Sequence, residues 1–276
     1  IHDHVRMEWK TKDCRLTRGG AERVMKTIAV YNNKGGIGKT VTSVNLAYEL
    51  TVRGYKVLLI DTDPQGNASS FYRRYDLTKA SVTELLLGAR PTRCKWRTRY
   101  PKLDIVPANS NLRTVDPSKL VGGTETLRRA LWVYEKDYDY CIIDCAPGTG
   151  FLIEVVMDAV EDVIIPLNPD VFSTDGLGTT LDVIREFCDK RVHAGCLFTA
   201  FYKNRETVEL VQNVMNTMDV MVYGNLIRRC GAVSHSLKVR KPLAKCASKS
   251  TAAMDYRDFT DEYLEREDKS WHCSRA

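Results

Sequence analysis

Apolar runs alternate with amphipathic segments along most of the chain. Strand-like runs rich in apolar residues recur at Thr27–Tyr31, Lys56–Ile60, Leu103–Pro107, Tyr140–Ile143, Asp162–Leu167, Cys196–Ala200 and Val220–Ile227. The run at Lys56–Ile60 is typical of a strand buried on both faces of a parallel sheet. Helical spacing of apolar residues predicts helices at Lys39–Arg53, Thr124–Tyr134, Thr174–Cys188, Glu206–Met218 and Thr251–Glu267. Strands that alternate with helices predict one α/β domain, with a mostly parallel twisted sheet and helices on both faces.

The domain is expected to begin at residue 25 and to extend to residue 276. Residues 1–24 are polar and mixed in charge, without a clear period. We expect them to form a flexible N-terminal extension, and the alternative is sequence upstream of the natural start. The chain has no apolar run of 18 residues, so no transmembrane helix is expected. Its nine cysteines contain no CxxC pair, which favours reduced thiols in the cytoplasm over a disulfide framework.

A glycine-rich turn lies between the first predicted strand and the first predicted helix. It contains Lys34, Gly35, Gly36, Ile37, Gly38, Lys39 and Thr40. Glycines allow backbone N–H groups to surround an anion, and the helix N-terminus adds partial positive charge. In a phosphate-binding loop of this kind, Lys39 reaches the β- and γ-phosphates and the Thr40 hydroxyl binds Mg²⁺. The segment therefore predicts an ATP and Mg²⁺ site.

Carboxylates follow two of the apolar strands directly. Asp61 and Asp63 end the strand at Lys56–Ile60, and Asp144 ends the strand at Tyr140–Ile143. Ligands sit at the carboxyl edge of a parallel sheet, so these acids are expected beside the phosphate loop. A buried acid at a strand end is costly unless hydrogen bonds or a cation compensate it.

These motifs together resemble those of the ParA partition ATPases. Residues 34–40 resemble the deviant Walker A loop of the group that contains ParA, MinD and the nitrogenase iron protein, and residues 61–67 resemble the ParA switch motif. Cys145, Ala146, Pro147 and Gly148 after Asp144 resemble the turn that follows the family's Walker B strand. The resemblance covers about residues 25–260.

The resemblance implies a role for several residues. Lys34 would cross a dimer interface to the partner's nucleotide, as an arginine finger does, and Asp63 would position the attacking water. Asp61 would support the Mg²⁺ shell and Asp144 would hold Mg²⁺ through water. Thr62 and Asn168 are candidate nucleotide contacts, although a turn role for Asn168 is an open alternative.

The same resemblance implies a partition function. An ATP-dependent homodimer would bind DNA without sequence preference, and a ParB-type activator protein would stimulate hydrolysis. The protein would be cytoplasmic and nucleoid-associated, without a membrane partner. The cargo is left open between plasmid, phage genome, chromosome and protein cluster.

The formal charge of +6 is distributed unevenly. By resemblance, the basic residues after the last predicted strand would contact DNA phosphates: Arg228, Arg229, Lys238, Arg240 and Lys241. The family's proline before the first arginine is replaced by Ile227, and a solvated basic face is the alternative. A second basic segment, Arg90–Lys102, also holds Trp96 and Tyr100; nucleic-acid binding, a solvated loop and a protein-partner surface are all open for it.

Three other functions stay open at the sequence level. A MinD-like ATPase that cycles on membranes shares the loop, but it should end in a basic amphipathic helix, whereas residues 258–276 are acidic. A reductase related to the nitrogenase iron protein would need a cluster-binding cysteine, for which Cys145 is the nearest candidate. A metabolic P-loop kinase would not need Lys34.

Overall fold

The computed structural model describes residues 24–170, 174–188 and 192–273, so the expected N-terminal extension lies almost entirely outside the described residues. It contains one sheet of eight strands in the order β3-β4-β2-β5-β1-β6-β7-β8. Every pairing is parallel except that of β3 with β4. The strands are β1 Lys26–Val30, β2 Val57–Asp61, β3 Trp96–Arg97, β4 Leu103–Val106, β5 Tyr140–Asp144, β6 Asp162–Leu167, β7 His193–Phe198 and β8 Met221–Val222.

Helices cover both faces of this sheet, which confirms the predicted α/β architecture. They are α1 Lys39–Val52, α2 Asn67–Phe71, α3 Val82–Leu86, α4 Pro91–Cys94, α5 Thr126–Tyr134, α6 Phe151–Met157, α7 Leu177–Phe187, α8 Arg205–Thr217, α9 Gly231–Val239, α10 Leu243–Cys246 and α11 Thr251–Cys273. Within the described residues, no helix is both long and apolar enough to cross a membrane.

The core consists of two apolar layers, one on each face of the sheet. Side chains of α3, α5, α6 and α7 pack on one face. Side chains of α1 and α11 pack on the other, where Thr42 of α1 and Tyr256 of α11 share a hydrogen bond of 3.1 Å between their hydroxyl oxygens. Strands β2 and β5 are buried along their whole length, because they lie in the middle of the sheet. This explains the unbroken apolar runs in the sequence.

Some boundaries differ from the sequence prediction. The strand predicted at Val220–Ile227 is only Met221–Val222, because the chain turns away at Gly224 and Asn225, whose backbone N–H groups donate to Glu262. The predicted strand Cys196–Ala200 starts earlier, at His193. The segment Arg90–Lys102 is not a plain loop, since it contains α4 and the edge strand β3.

A polar network closes the amino edge of the sheet, opposite the phosphate loop. Asp162 of β6 is buried and accepts a hydrogen bond of 2.6 Å from the Tyr263 hydroxyl. Its carboxylate also lies 2.8 Å from Lys26 Nζ and 3.4 Å from His193 Nδ1. Burial alone would raise the pKa of Asp162, but the His193 hydrogen bond and the Lys26 charge lower it. The hydrogen bond with Asp162 raises the pKa of His193 in turn.

This network predicts a pH-dependent contribution to stability. The folded-state pKa of His193 lies above its unfolded value of about 6.5, so the ion pair stabilises the fold below that pH and is lost as pH rises through the folded pKa. Because the ring is largely exposed, His193→Gln should lower Tm by only about 1–2 °C at pH 5.5, and by less at pH 8.5. Thermal melts at both pH values, with His235→Gln on α9 as control, measure this. An equal loss at both values would contradict it.

Candidate nucleotide-binding site

The loop between β1 and α1 has the backbone conformation that its glycines permit. Gly36 and Gly38 have φ of 76° and 90°, in the left-handed region that other residues rarely adopt. Left-handed residues next to right-handed ones curve successive N–H groups around an anion. Gly38 directly precedes α1, so the partial positive charge of the helix N-terminus adds to the same site.

Lys39 lies folded over this loop. Its Nζ donates to the backbone carbonyl oxygens of Asn32, at 2.9 Å, and Lys34, at 2.7 Å. The residue is buried, and burial lowers the pKa of its ammonium group. Both contacts are with neutral carbonyls inside the loop. The ammonium is therefore held at the centre of the anion-binding turn, where phosphate oxygens can replace the carbonyls as acceptors.

Two side chains that sequence reasoning missed fix the loop against the sheet. Asn32 donates to the Pro166 carbonyl at 2.9 Å, and its own Oδ1 accepts from Lys34 N at 2.9 Å. Thr199, after β7, lies 2.9 Å from both the Ile37 carbonyl and Asn168 Oδ1. The loop is thus tied to the ends of β6 and β7. Asn168, a candidate nucleotide contact, takes part in this support through Thr199.

Asp61 and Asp144 lie opposite each other at the carboxyl ends of β2 and β5, and both are fully buried. Asp144 accepts hydrogen bonds from the hydroxyls of Thr40, at 2.8 Å, and Ser43, at 2.7 Å. Burial raises the pKa of each carboxyl group, and for Asp144 the repulsion from Asp61 adds to it. Two carboxylates this close are stabilised in their charged form only by strong donors or by a cation.

The donor set fits magnesium. The Thr40 hydroxyl and the Asp144 carboxylate supply oxygen ligands 2.8 Å apart at the start of α1, which is the hard-oxygen environment that Mg²⁺ prefers. Asp61 is already bound by three donors, Ser69 N at 2.8 Å, Ser69 Oγ at 2.7 Å and Asp63 N at 3.0 Å. Its geometry suits support of the neighbouring groups better than direct contact with a cation.

The two residues that follow Asp61, Thr62 and Asp63, have different hydrogen-bond partners. Thr62 donates to the Asp144 carbonyl oxygen through both its backbone N and its hydroxyl, each at 2.9 Å. This residue, a candidate nucleotide contact, therefore joins β2 to β5. Asp63 Oδ1 accepts from Gln65 N at 2.8 Å, which fixes the turn that carries the second acid. Asp63 is itself buried and lies two positions after Asp61.

Comparison with known proteins agrees with this geometry. A family model described as an AAA domain matches residues 25–194. Soj, the sporulation initiation inhibitor protein of Bacillus subtilis, is 31% identical over 247 residues, which cover 86% of this chain and 97% of Soj. The chromosome partitioning protein ParA of Caulobacter vibrioides is 29% identical over 254 residues, covering 88% of this chain and 95% of that protein. The chain belongs to the ParA-type P-loop ATPases.

A solved structure supports the same assignment. Cobyrinic acid a,c-diamide synthase from Mycobacterium smegmatis, with bound ADP and magnesium, superposes with a TM-score of 0.77 at 28% identity. The match covers 89% of this chain and 96% of that protein. A ParA-type fold in this relative thus holds a nucleotide and magnesium.

Lys34 is the signature lysine of the ParA-type loop, and its ammonium group forms an ion pair. Its Nζ lies 3.2 Å from Asp170 Oδ1, in the loop after β6, and the side chain is partly exposed. The pair sits at the surface of the same edge of the sheet as Lys39. A partly exposed ion pair of this kind contributes little to stability.

The basic residues that the sequence associates with DNA are not part of this site. Arg228 and Arg229 lie beside β7, where Phe201 pairs with Arg228. Lys238 lies on α9, and Arg240 and Lys241 follow that helix. All five are exposed.

Ser69 gives a direct test of the carboxylate network. Ser69→Ala removes one of the three donors to the buried Asp61 and also the acceptor of the buried Ala108 N–H, so unfolding free energy should fall by about 1–3 kcal/mol. Ser70→Ala, one position along the same helix, is the matched control and should change it by less than about 0.5 kcal/mol. Urea denaturation measures both variants. If the two were equally stable, the Ser69 hydroxyl would not compensate the acid.

Proposed function

We propose that this protein is a partition ATPase that binds ATP with Mg²⁺, pairs with a second copy and holds DNA without sequence preference. The observation that supports this proposal is the position of Lys34, the second lysine of the loop. Its ammonium lies beside Asp170, and both side chains are partly exposed. An enzyme that worked as a monomer would gain nothing from a cation in that position. A second subunit with its own nucleotide would present the phosphate charge that Lys34 is placed to meet.

The chain's own residues would bind and orient the nucleotide. Lys39 and the loop N–H groups hold the phosphates, and Thr40 and Asp144 hold the cation. Bound Mg²⁺ neutralises charge on the phosphate oxygens. Asp63, fixed by its contact with Gln65, would orient a water for attack on the γ-phosphate. A ParB-type partner would raise the rate of this step and release DNA.

The surroundings of Cys145 disfavour a reductase function. The thiol is buried, it lies 3.7 Å from the Ile143 carbonyl oxygen, and burial raises its pKa. A ligand for a cluster shared between subunits would have to be exposed and readily deprotonated. The location that goes with the proposed partition function is the cytoplasm, in association with the nucleoid.

Asp63→Ala should separate nucleotide binding from hydrolysis. The phosphate contacts made by Lys39 and the loop remain, so ATP affinity should stay within about threefold of the wild-type value. Turnover should fall by about 10²-fold or more, because the water is no longer oriented. Phosphate release and nucleotide titration measure the two effects. Hydrolysis at the wild-type rate would exclude Asp63 from this role.

Retention on duplex DNA tests the function as a whole. One subunit offers few phosphate contacts, while a nucleotide-joined pair offers twice as many, so affinity should rise steeply with pairing. Wild type should be retained on random-sequence duplex about tenfold or more better with ATP than with ADP. Lys34→Ala should bind ATP but lose this gain, and Lys39→Ala should lose ATP binding itself.

Anionic vesicles serve as the competing surface in the same experiment. Retention of wild type on vesicles but not on duplex, with the same ATP dependence, would favour a membrane-cycling ATPase. Equal duplex retention by wild type and Lys34→Ala, with ATP and with ADP, would overturn the partition function and leave nucleotide binding untouched.

A further inference from the structure

The segment between β8 and α11 crosses the molecule from one side to the other. It starts at Arg228 beside β7, in the β7–β8 half of the sheet. It then passes over α1, where Leu243 N donates to Asn45 Oδ1 at 2.9 Å. The carbonyl of Arg240 accepts a hydrogen bond from the Arg99 guanidinium, in the β3–β4 hairpin at the opposite edge. The basic residues of this segment therefore lie in two separate regions, one beside β7 and one beside the β3–β4 hairpin.

Arg228 is occupied by a structural contact. Its guanidinium binds Asp255 through Nε, at 3.0 Å, and through Nη2, at 2.5 Å. Its backbone N donates to the same carboxylate at 2.8 Å, and Asp255 is buried. An arginine held in this way joins the loop to α11, and its charge is matched by an acid. It is poorly suited to neutralise a phosphate.

The basic residues at the other end of the segment meet the second basic segment of the sequence. Arg74 Nε donates to the Arg97 carbonyl at 2.8 Å, and Arg99 binds the Arg240 carbonyl. Lys245 Nζ lies 5.9 Å from the ring centre of Tyr48 on α1. These contacts form one continuous patch, which we call the hairpin–loop surface: Arg74, Arg97, Arg99, Arg240, Lys241 and Lys245.

The charge of this surface is uncompensated. Among the residues that the structure describes, none of its six members forms an ion pair with a carboxylate. Lys95, in the same hairpin, differs from them because it lies within 4 Å of both Asp104 and Asp137. All of the six except the half-buried Arg74 are exposed. A patch of unpaired cations attracts a polyanion.

Aromatic rings hold this surface rigid. Arg99 lies 5.1 Å from the ring centre of Tyr100, which packs edge-on against Tyr48 at 5.1 Å and Tyr72 at 6.0 Å. The arginines that bind backbone carbonyls retain further N–H donors, because each guanidinium carries five. Guanidinium groups in fixed positions suit phosphate diesters, which accept two parallel hydrogen bonds.

We propose that the hairpin–loop surface is where this protein contacts the phosphate backbone of duplex DNA. The inference rests on the proposed partition function and names its contact site. It moves that site away from Arg228 to a composite of the hairpin and the loop. The surface is built on α1, through Asn45 and Tyr48, and α1 begins at the phosphate-binding turn. The N-terminal end of α1 would therefore bind the nucleotide, and the middle of the same helix would support the DNA-binding surface.

The test uses a triple variant, Arg97→Gln, Lys241→Gln and Lys245→Gln, in the full chain. These side chains make none of the hydrogen bonds that hold the surface together. The matched control is Arg129→Gln, Lys119→Gln and Lys136→Gln, which removes the same charges from exposed positions on and around α5, on the other face of the sheet. Thermal melts and ATP hydrolysis without DNA should be unchanged in both triple variants.

Binding to a random-sequence duplex with ATP, at about 100 mM salt, is then measured by fluorescence anisotropy. The surface variant should bind about tenfold or more weakly and show a shallower salt dependence, because fewer counterions are released. The control and Arg229→Gln should stay within about twofold. Surface-variant affinity equal to that of wild type, or an equal loss in Arg229→Gln, would overturn this assignment while leaving the partition function in place.

Two further outcomes separate this site from the function on which it rests. Failure of wild type itself to bind duplex with ATP would overturn the partition function. Retention of wild type on vesicles of phosphatidylglycerol and phosphatidylcholine in place of duplex, lost in the surface variant, would assign the surface to a membrane and overturn the DNA contact.

Discussion

The burial of two carboxylates side by side is the constraint on which the site depends. Asp61 and Asp144 end adjacent strands and have no exposed surface. Their repulsion must be offset locally, and hydroxyl groups do most of this, from Thr40 and Ser43 for one acid and from Ser69 for the other. The start of α1 and the start of α2 are thereby drawn to the same edge of the sheet. The phosphate loop and the segment that follows β2 are close together because residues in or directly after each of them donate hydrogen bonds to this pair of carboxylates.

The sequence predicts the part of the site that is contiguous along the chain. The glycine loop and the acids at strand ends can be recognised because each motif follows a predicted strand directly, and parallel strands bring their carboxyl ends to one edge. The supports could not be found in this way. Thr199 reaches Ile37 across 162 positions, and Asn32 reaches Pro166 across 134. A single threonine or asparagine in a turn carries no signal of so distant a partner.

The same limit applies to the basic residues. Arg228 and Arg240 belong to one basic stretch in the sequence. The guanidinium of Arg228 pairs with Asp255, whereas Arg240 accepts a hydrogen bond from Arg99 through its backbone carbonyl. The short edge strand β3 was also missed, because two residues are too few to show a period. Charge clusters along a chain thus indicate that a polyanion could bind, whereas the fold decides which members of the cluster remain available.

Both outer strands of the sheet, β3 and β8, are only two residues long. An exposed strand of that length offers few backbone groups to a strand from another molecule, and very short edges are a common protection against accidental sheet extension. A second copy of this chain therefore gains little by adding to the side of the sheet. In the proposed function, association would be directed instead to the end of the sheet where the loops lie. Because the two outer strands are so short, assembly would then depend on what those loops bind.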